Sequence, residues 1–288
     1  MALNIGTVAG RHHGPNGSFG VRRVPYCEAL NALLIVNPRS GQGEIPTEEL
    51  VAAAESLGIE TRLLGPGDDP AEIARGSSAD VLGMAGGDGS LAPVVDVALE
   101  REAPFVCIPF GTRNHFARDV GLDRDDPLGA LRAFTWSERR IDIGRAGNRL
   151  FLNNVSLGVY ARLVHRRERH RRRREALARL RAWATLLRHR EPLGISIDGE
   201  PIESRLVLVA NNAYALDLPS LGARERLDEG NLHLYGAGDE RVGDRFVVDA
   251  AAGRLEAAVD GEPDALRTPI EFRVEPRALR VLVPDGGG

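Results

Sequence analysis

Lysine does not occur anywhere in the 288-residue sequence, so all 37 basic side chains are arginine. That absence removes the chemistries that depend on an ε-amine: the lysine of a Walker A loop, the strand lysine of a protein kinase, and a Schiff base. Any phosphate chemistry must therefore use backbone N–H groups, guanidinium groups and metal. Cysteine is scarce as well. Cys27 and Cys107 make no disulfide framework, and Cys107, inside Phe105-Val106-Cys107-Ile108, reads as a buried, inert thiol in a reducing cytoplasm. Aromatic residues are 5% of the chain and the net charge is −4, which together argue against a nucleic-acid partner. Long apolar runs are missing too: none approaches the roughly 20 residues that span a bilayer, and the N-terminus has no signal-peptide core. The expectation is a cytoplasmic protein, soluble or attached to a membrane surface.

Glycine, by contrast, is plentiful, and it is concentrated where it matters. Gly86-Gly87-Asp88-Gly89-Ser90 lies between the apolar run 79–85 and the helix-like run 91–99. Strand, tight turn and helix start in that order let backbone N–H groups converge on an anion. Asp88 would repel a bare phosphate, so it implies either a bridging metal ion or a substrate proton to be accepted. Alone, such a turn is common in α/β proteins and specifies little.

The surroundings specify more. Residues 1–28, rich in Gly, His and Arg without periodicity, read as a flexible leader. From Ala32 onward, apolar runs (32–36, 59–64, 79–85, 105–108) alternate with helical spacing (47–57, 70–75, 91–100, 116–120, 126–136), which predicts an α/β domain over 29–138. Right-handed crossovers put every strand C-terminus on one edge, so three loops meet there: Asn37-Pro38-Arg39-Ser40-Gly41, the Gly86 turn, and Pro109-Phe110-Gly111-Thr112-Arg113-Asn114. Past residue 139, short β-prone runs split by Asp-Gly, Asn and Pro turns predict an antiparallel β-rich domain over 139–288 with a helical insertion at 160–190. Asp198-Gly199-Glu200-Pro201 recurs as Asp260-Gly261-Glu262-Pro263, and the first copy reads as a plain hairpin turn.

The ordered series formed by those three loops, Asn153-Asn154-Val155-Ser156-Leu157-Gly158, Leu227-Asp228-Glu229-Gly230-Asn231-Leu232, Val259-Asp260-Gly261-Glu262 and Thr268-Pro269 resembles the diacylglycerol kinase catalytic-domain family, which includes bacterial lipid kinases and sphingosine kinases. The resemblance covers roughly residues 32–284. It implies an α/β nucleotide-binding domain similar to phosphofructokinase and NAD kinase, an antiparallel β-sandwich domain, and transfer of the ATP γ-phosphate to a lipid hydroxyl with Mg²⁺. Diacylglycerol or a related lipid is the implied acceptor. By the same resemblance Asn37, Pro38, Ser40 and Gly41 hold nucleotide; Gly86, Gly87, Gly89 and Ser90 cradle its phosphates; Gly111, Thr112 and Asn114 complete the pocket. Asp88 would act through Mg²⁺ or water, Asp228 matches an acidic position linked to magnesium, and Asp260 and Glu262 mark the place of the base, with Glu262 favoured. Ser90 stands where the family usually has threonine and keeps the hydroxyl.

Between Arg162 and Arg190 twelve arginines face two glutamates, beside leucines and Trp183. This is either a solvated charged helix or a helix lying on an anionic membrane surface, where each basic residue contributes about 1 kcal/mol; a lipid kinase needs the second. Two alternatives stay open: a kinase for a soluble acceptor, as in NAD kinases, and a nucleotide- or lipid-binding sensor without turnover. Exposed β-edges leave room for a homodimer.

Overall fold

The computed structural model describes residues 31–40, 45–158, 192–215, 223–236 and 239–284. The leader at 1–28, Gly41 and the arginine-rich segment at 160–190 lie outside the described residues. The first half runs β1 (Ala32–Val36), α1 (Thr47–Ser56), β2 (Glu60–Leu63), α2 (Pro70–Gly76), β3 (Val81–Gly86), α3 (Ala92–Glu100), β4 (Phe105–Pro109), α4 (His115–Asp119) and α5 (Pro127–Ala130). β1 is Ala-Leu-Leu-Ile-Val with all five residues buried, the signature of a strand covered on both faces. β1 pairs in parallel with β2 on one side and β3 on the other, and β3 pairs in parallel with β4. The chain thus steps outward from β1 to β2 and then back across β1 to β3. Right-handed crossovers in opposite directions place α1 and α2 on opposite faces, and the C-terminal ends of β1 and β3 flank the point where the direction reverses. The expected helix at 126–136 divides in two: α5, capped by the Asp126 carboxylate accepting from the Gly129 N–H, and a 3₁₀ turn at Leu131–Thr135 that buries Leu131, Ala133 and Phe134.

The second half runs β5 (Ser137–Ala146), β6 (Arg149–Phe151), β7 (Asn154–Gly158), β8 (Ile195–Ile197), β9 (Glu200–Ile202), β10 (Leu206–Asn211), β11 (Leu232–Gly236), β12 (Asp239–Gly243), β13 (Arg245–Ala250), β14 (Arg254–Val259), β15 (Glu262–Arg267) and β16 (Ile270–Val283). β12-β11-β10-β7-β14-β15 form an antiparallel sheet. It faces the antiparallel end of the other sheet, and Val155, Leu157, Val207, Val209 and Leu234 pack there with Phe151, Ile197, Val248 and Phe272 in one apolar core. The expected α/β domain followed by an antiparallel β-sandwich is what the chain forms.

One strand joins the halves. Two β-prone stretches of the sequence, 270–274 and 279–283, form a single strand, β16, whose start pairs with β13 and whose end pairs in parallel with β4, while β5 follows it almost throughout. The register shifts between Glu275 and Leu279. Pro276 has no N–H to give the ladder, and the Arg277 N–H, at φ 50°, donates instead to the Asp142 carboxylate at 2.7 Å. The division expected at 138/139 falls inside β5, so the two halves share a continuous sheet.

Phe272 is fully buried and meets Phe151 edge-on, with ring centroids 6.5 Å apart. Phe272→Ala should lower stability by about 3–5 kcal/mol. Chemical denaturation checks this, and a loss below about 1 kcal/mol would show that the sandwich core is not the packed unit described.

Candidate active site

The three loops expected on one rim are there. Beyond the strands the pairing continues through the loops: the Asn37 N–H donates to the Ala85 carbonyl at 2.9 Å and the Phe110 N–H to the Gly86 carbonyl at 3.3 Å. Asn37 folds its own loop by accepting from the Arg39 N–H at 3.1 Å, and Pro38 and Ser40 are half-buried beside it. A methyl group on Gly111 would meet Gly87 Cα at 2.4 Å, so the second and third loops touch backbone to backbone and only glycine fits. The Ser90 hydroxyl donates to the Gly87 carbonyl at 2.7 Å and fills the space that a side chain at Gly86 would need. Asn114, buried and in the left-handed region at φ 49°, accepts from the Gly111 N–H at 2.9 Å and donates to the Gly111 and Arg124 carbonyls. Thr112 stands exposed at the tip. The result is a rigid, largely backbone-lined cradle, which suits a polyphosphate in a chain without lysine.

Asp88 does more than line this cradle. Its two carboxylate oxygens accept from the His115 N–H at 3.0 Å and the Phe116 N–H at 2.8 Å, so it caps α4 and ties the second loop to the third. His115 is half-buried and its pKa is lowered by burial, with Asp88 raising it and Arg118 and Arg113 lowering it.

Glu262 comes from the other half of the molecule. A methyl group on Gly89 would meet Glu262 Cγ at 2.1 Å and Oε1 at 2.6 Å, so this carboxylate lies directly over the glycine turn, one residue from Asp88, and it is exposed. Asp260 sits behind it in a different role. Asp260 and Gly261 have φ of 47° and 86°, and Asp198 and Gly199 have 52° and 84°, so both copies of the repeat are the same type of hairpin turn. Asp198 accepts from the Val247 N–H alone among the described residues. Asp260 accepts three N–H groups, from Leu152 and Asn153 at 2.7 Å and from Asn154 at 3.0 Å, which fixes the turn that carries Glu262.

Asp228 is placed elsewhere. Its carboxylate faces three guanidinium groups, Arg226 at 3.4 Å, Arg277 at 3.6 Å and Arg139 at 3.9 Å, and no described contact joins it to Asp88. Three positive neighbours balance the charge of Asp228, the residue whose acidic motif the resemblance linked to magnesium. Among the described residues no cluster of three His, Cys, Asp or Glu could hold a metal ion. Asp88 remains a fit for Mg²⁺ arriving on nucleotide, because that ion needs only one or two protein carboxylates.

Several residues of the site carry no motif. Arg224 and Asp119, with side chains only 1% exposed, form a 2.7 Å ion pair behind the loops. Asp142 is buried and also accepts from the Gly230 N–H at 2.7 Å. The Tyr214 hydroxyl accepts from Asn154 Nδ2 at 2.7 Å, and burial pushes its pKa up to about 12. Buried Cys107 is as inert as expected: burial pushes its thiol well up.

The arrangement is a backbone-lined cradle at the strand C-termini of a parallel sheet, with a carboxylate from a β-sandwich lying on it. Residues 31–146 match the family model of the diacylglycerol kinase catalytic domain, so over that segment the chain carries the signature its motifs resemble. It is 34% identical over 137 residues to a diacylglycerol kinase of Staphylococcus aureus, covering 44% of this chain and 43% of the relative. A diacylglycerol kinase of Bacillus subtilis is 32% identical over 145 residues, 46% of this chain and 48% of the relative. The matched region spans less than half the length of each of these relatives. The crystal structure of a diacylglycerol kinase from Bacillus anthracis shares the fold, with a TM-score of 0.65 and 19% identity over 90% of this chain and 98% of that one. No helix among the described residues is long and apolar enough to cross a membrane.

Burial raises the Asp260 pKa from 3.8 to about 6 against the pull of its three N–H donors, and the charge of Asp88 adds to the rise. A carboxyl that binds its proton more tightly when folded contributes stability below the unfolded pKa and loses it as pH rises through the folded one. Stability of the native chain relative to Asp260→Asn should therefore fall between pH 4 and 6.5. Urea midpoints of both proteins across that range test it, and a constant difference contradicts it.

Proposed function

We propose that this chain is a lipid kinase that transfers the γ-phosphate of ATP to a lipid hydroxyl, with diacylglycerol or a related lipid as acceptor. The observation that carries this reading is the Glu262 carboxylate lying on Gly89 of the phosphate cradle, beside Asp88. A carboxylate from the second half is thereby held against the loops that would present the terminal phosphate. The relatives named diacylglycerol kinase supply the class of acceptor.

Each group then has a task. Phosphoryl transfer needs in-line positioning and charge neutralisation more than covalent help. The loops bearing Asn37, Pro38, Ser40 and Gly41, Gly86, Gly87, Gly89 and Ser90, and Gly111, Thr112 and Asn114 hold nucleotide, the glycine turn letting backbone approach the phosphates without an intervening side chain. Asp88 would be the protein carboxylate that holds magnesium arriving with ATP, an ion that would supply neutralisation of the phosphate charge. Glu262, exposed and acceptor-only when ionised, takes the proton of the attacking lipid hydroxyl. Asp260 holds the turn that carries Glu262 rather than acting as the base, because its oxygens are occupied by three N–H donors. The arginine-rich segment at 160–190 brings the cleft to an anionic membrane surface, which peripherally locates a cytoplasmic enzyme at its substrate.

The test is transfer of radiolabelled γ-phosphate with Mg²⁺ and vesicles of diacylglycerol in phosphatidylglycerol, with Glu262→Gln alongside. The variant keeps the shape of the side chain but cannot accept a proton as carboxylate does. Its kcat should fall about 10²–10⁴-fold with ATP affinity unchanged. Undiminished turnover places the base elsewhere. Bound ATP with no labelled lipid across diverse acceptors overturns the reading in favour of a soluble acceptor or a sensor.

A further inference from the structure

A closed circuit of contacts runs through both halves of the molecule. Asp88 caps the start of α4. Asp119 ends that helix, and one of its oxygens accepts from Arg224 Nε at 2.7 Å while the other is paired with Arg118. The Arg224 guanidinium spends its remaining fork on the second half: one terminal nitrogen donates to the Leu152 carbonyl at 2.6 Å and the Asn211 carbonyl at 3.1 Å, the other to Asn153 Oδ1 at 2.6 Å. Residues 152–154 give their N–H groups to Asp260, whose turn presents Glu262, and Glu262 lies on Gly89, next to Asp88. Two links of this circuit cross between the halves away from the shared sheet: Arg224 on Asp119, which is buried, and Glu262 on Gly89, which is the contact to be positioned.

We propose that Asp119 and Arg224 are positioning residues: their buried pair sets the placement of Glu262 over the glycine cradle and so governs the rate of transfer rather than the binding of nucleotide. The inference rests on the function proposed above. Its chemical basis is the geometry of arginine. A planar fork satisfies one carboxylate and three carbonyl-type oxygens at fixed mutual angles, whereas an ammonium group is a point charge with three donors. The loops that would bind nucleotide all belong to the first half, and the described partners of Arg224 lie outside them, in Asp119, Leu152, Asn153 and Asn211. Displacing the second half by a fraction of an ångström therefore moves the base and leaves the nucleotide site intact, and transfer rates are steep in such displacements.

Removing either side chain outright would strand a buried charge and threaten folding, so the variants are conservative: Arg224→Lys, Asp119→Asn and the two combined. Steady-state transfer, nucleotide Kd and hydrogen exchange are read on the full chain. In Arg224→Lys, kcat should fall at least about tenfold while KM and Kd for ATP stay within about twofold. Exchange should quicken at Leu152, Asn153 and Asn154, not in β1 or β3. Asp119→Asn should show a smaller fall, and the double variant should be no slower than Arg224→Lys, because the two act as one unit. A kcat within about twofold of the native value, together with a lower melting temperature, would reduce the pair to a structural role and overturn the proposal, as would a KM for ATP that moves as much as kcat. If the native chain transfers phosphate to no acceptor, the functional reading fails by itself. Exchange and nucleotide Kd then decide the clamp, and unchanged exchange at 152–154 overturns it.

Discussion

The arrangement of this molecule around its cleft depends on one desolvated ion pair, Asp119 with Arg224, both almost wholly out of water. Burying two charges is expensive, and their attraction repays the desolvation only where the geometry is good and the remaining donors are satisfied. Here they are: Nε, both terminal nitrogens and both carboxylate oxygens have partners. Such a pair adds little net stability over an apolar substitute, yet breaking it costs about 3–5 kcal/mol because a charge is left alone. What it supplies is a single allowed arrangement. The sheet that the two halves share shifts register where β16 bulges, near Pro276, and the pair ties them together away from that point.

Interior strands were legible in the sequence and three edge strands were not, for a physical reason. β1 and β4 are unbroken apolar runs because both faces are covered, and hydrophobicity alone marks them. β9 (Glu-Pro-Ile), β12 (Asp-Glu-Arg-Val-Gly) and β15 (Glu-Pro-Asp-Ala-Leu-Arg) all carry charge, β9 and β15 carry proline as well, and all three lie at the edges of their sheets. Those are the residues that protect an unpaired edge, so what keeps a strand soluble also hides it from a reading based on hydrophobic pattern. The join in β16 was hidden by Pro276 in the same way, since only the Asp142 carboxylate, far away in sequence, lets the strand carry its bulge.

The candidate site divides along a similar line. Glycine loops were readable because their work is done by backbone and by the lack of a side chain. The roles of the carboxylates were not, because a carboxylate takes its meaning from partners that spacing does not reveal. Asp198 and Asp260 occupy identical turns in near-identical tetrapeptides, and the difference between them is wholly tertiary: one meets a lone N–H and the other three from a distant segment. Asp228 shows the converse, an acidic residue in a family-like motif whose neighbours here are guanidinium groups.

The absence of lysine runs through both outcomes. A guanidinium is weakly hydrated and can be buried with its hydrogen bonds intact, which an ammonium group manages less well, so arginine can place a cation in the interior at a lower cost than lysine. Arg224 uses that property to carry a fork of fixed geometry across the join between the halves. Around Asp228, arginines from β5, the 223–231 segment and the bulge of β16 gather on one acidic side chain and so tie three separate segments together. The cation that holds these segments is part of the chain itself, and the cleft is left to be electrostatically completed by what binds in it.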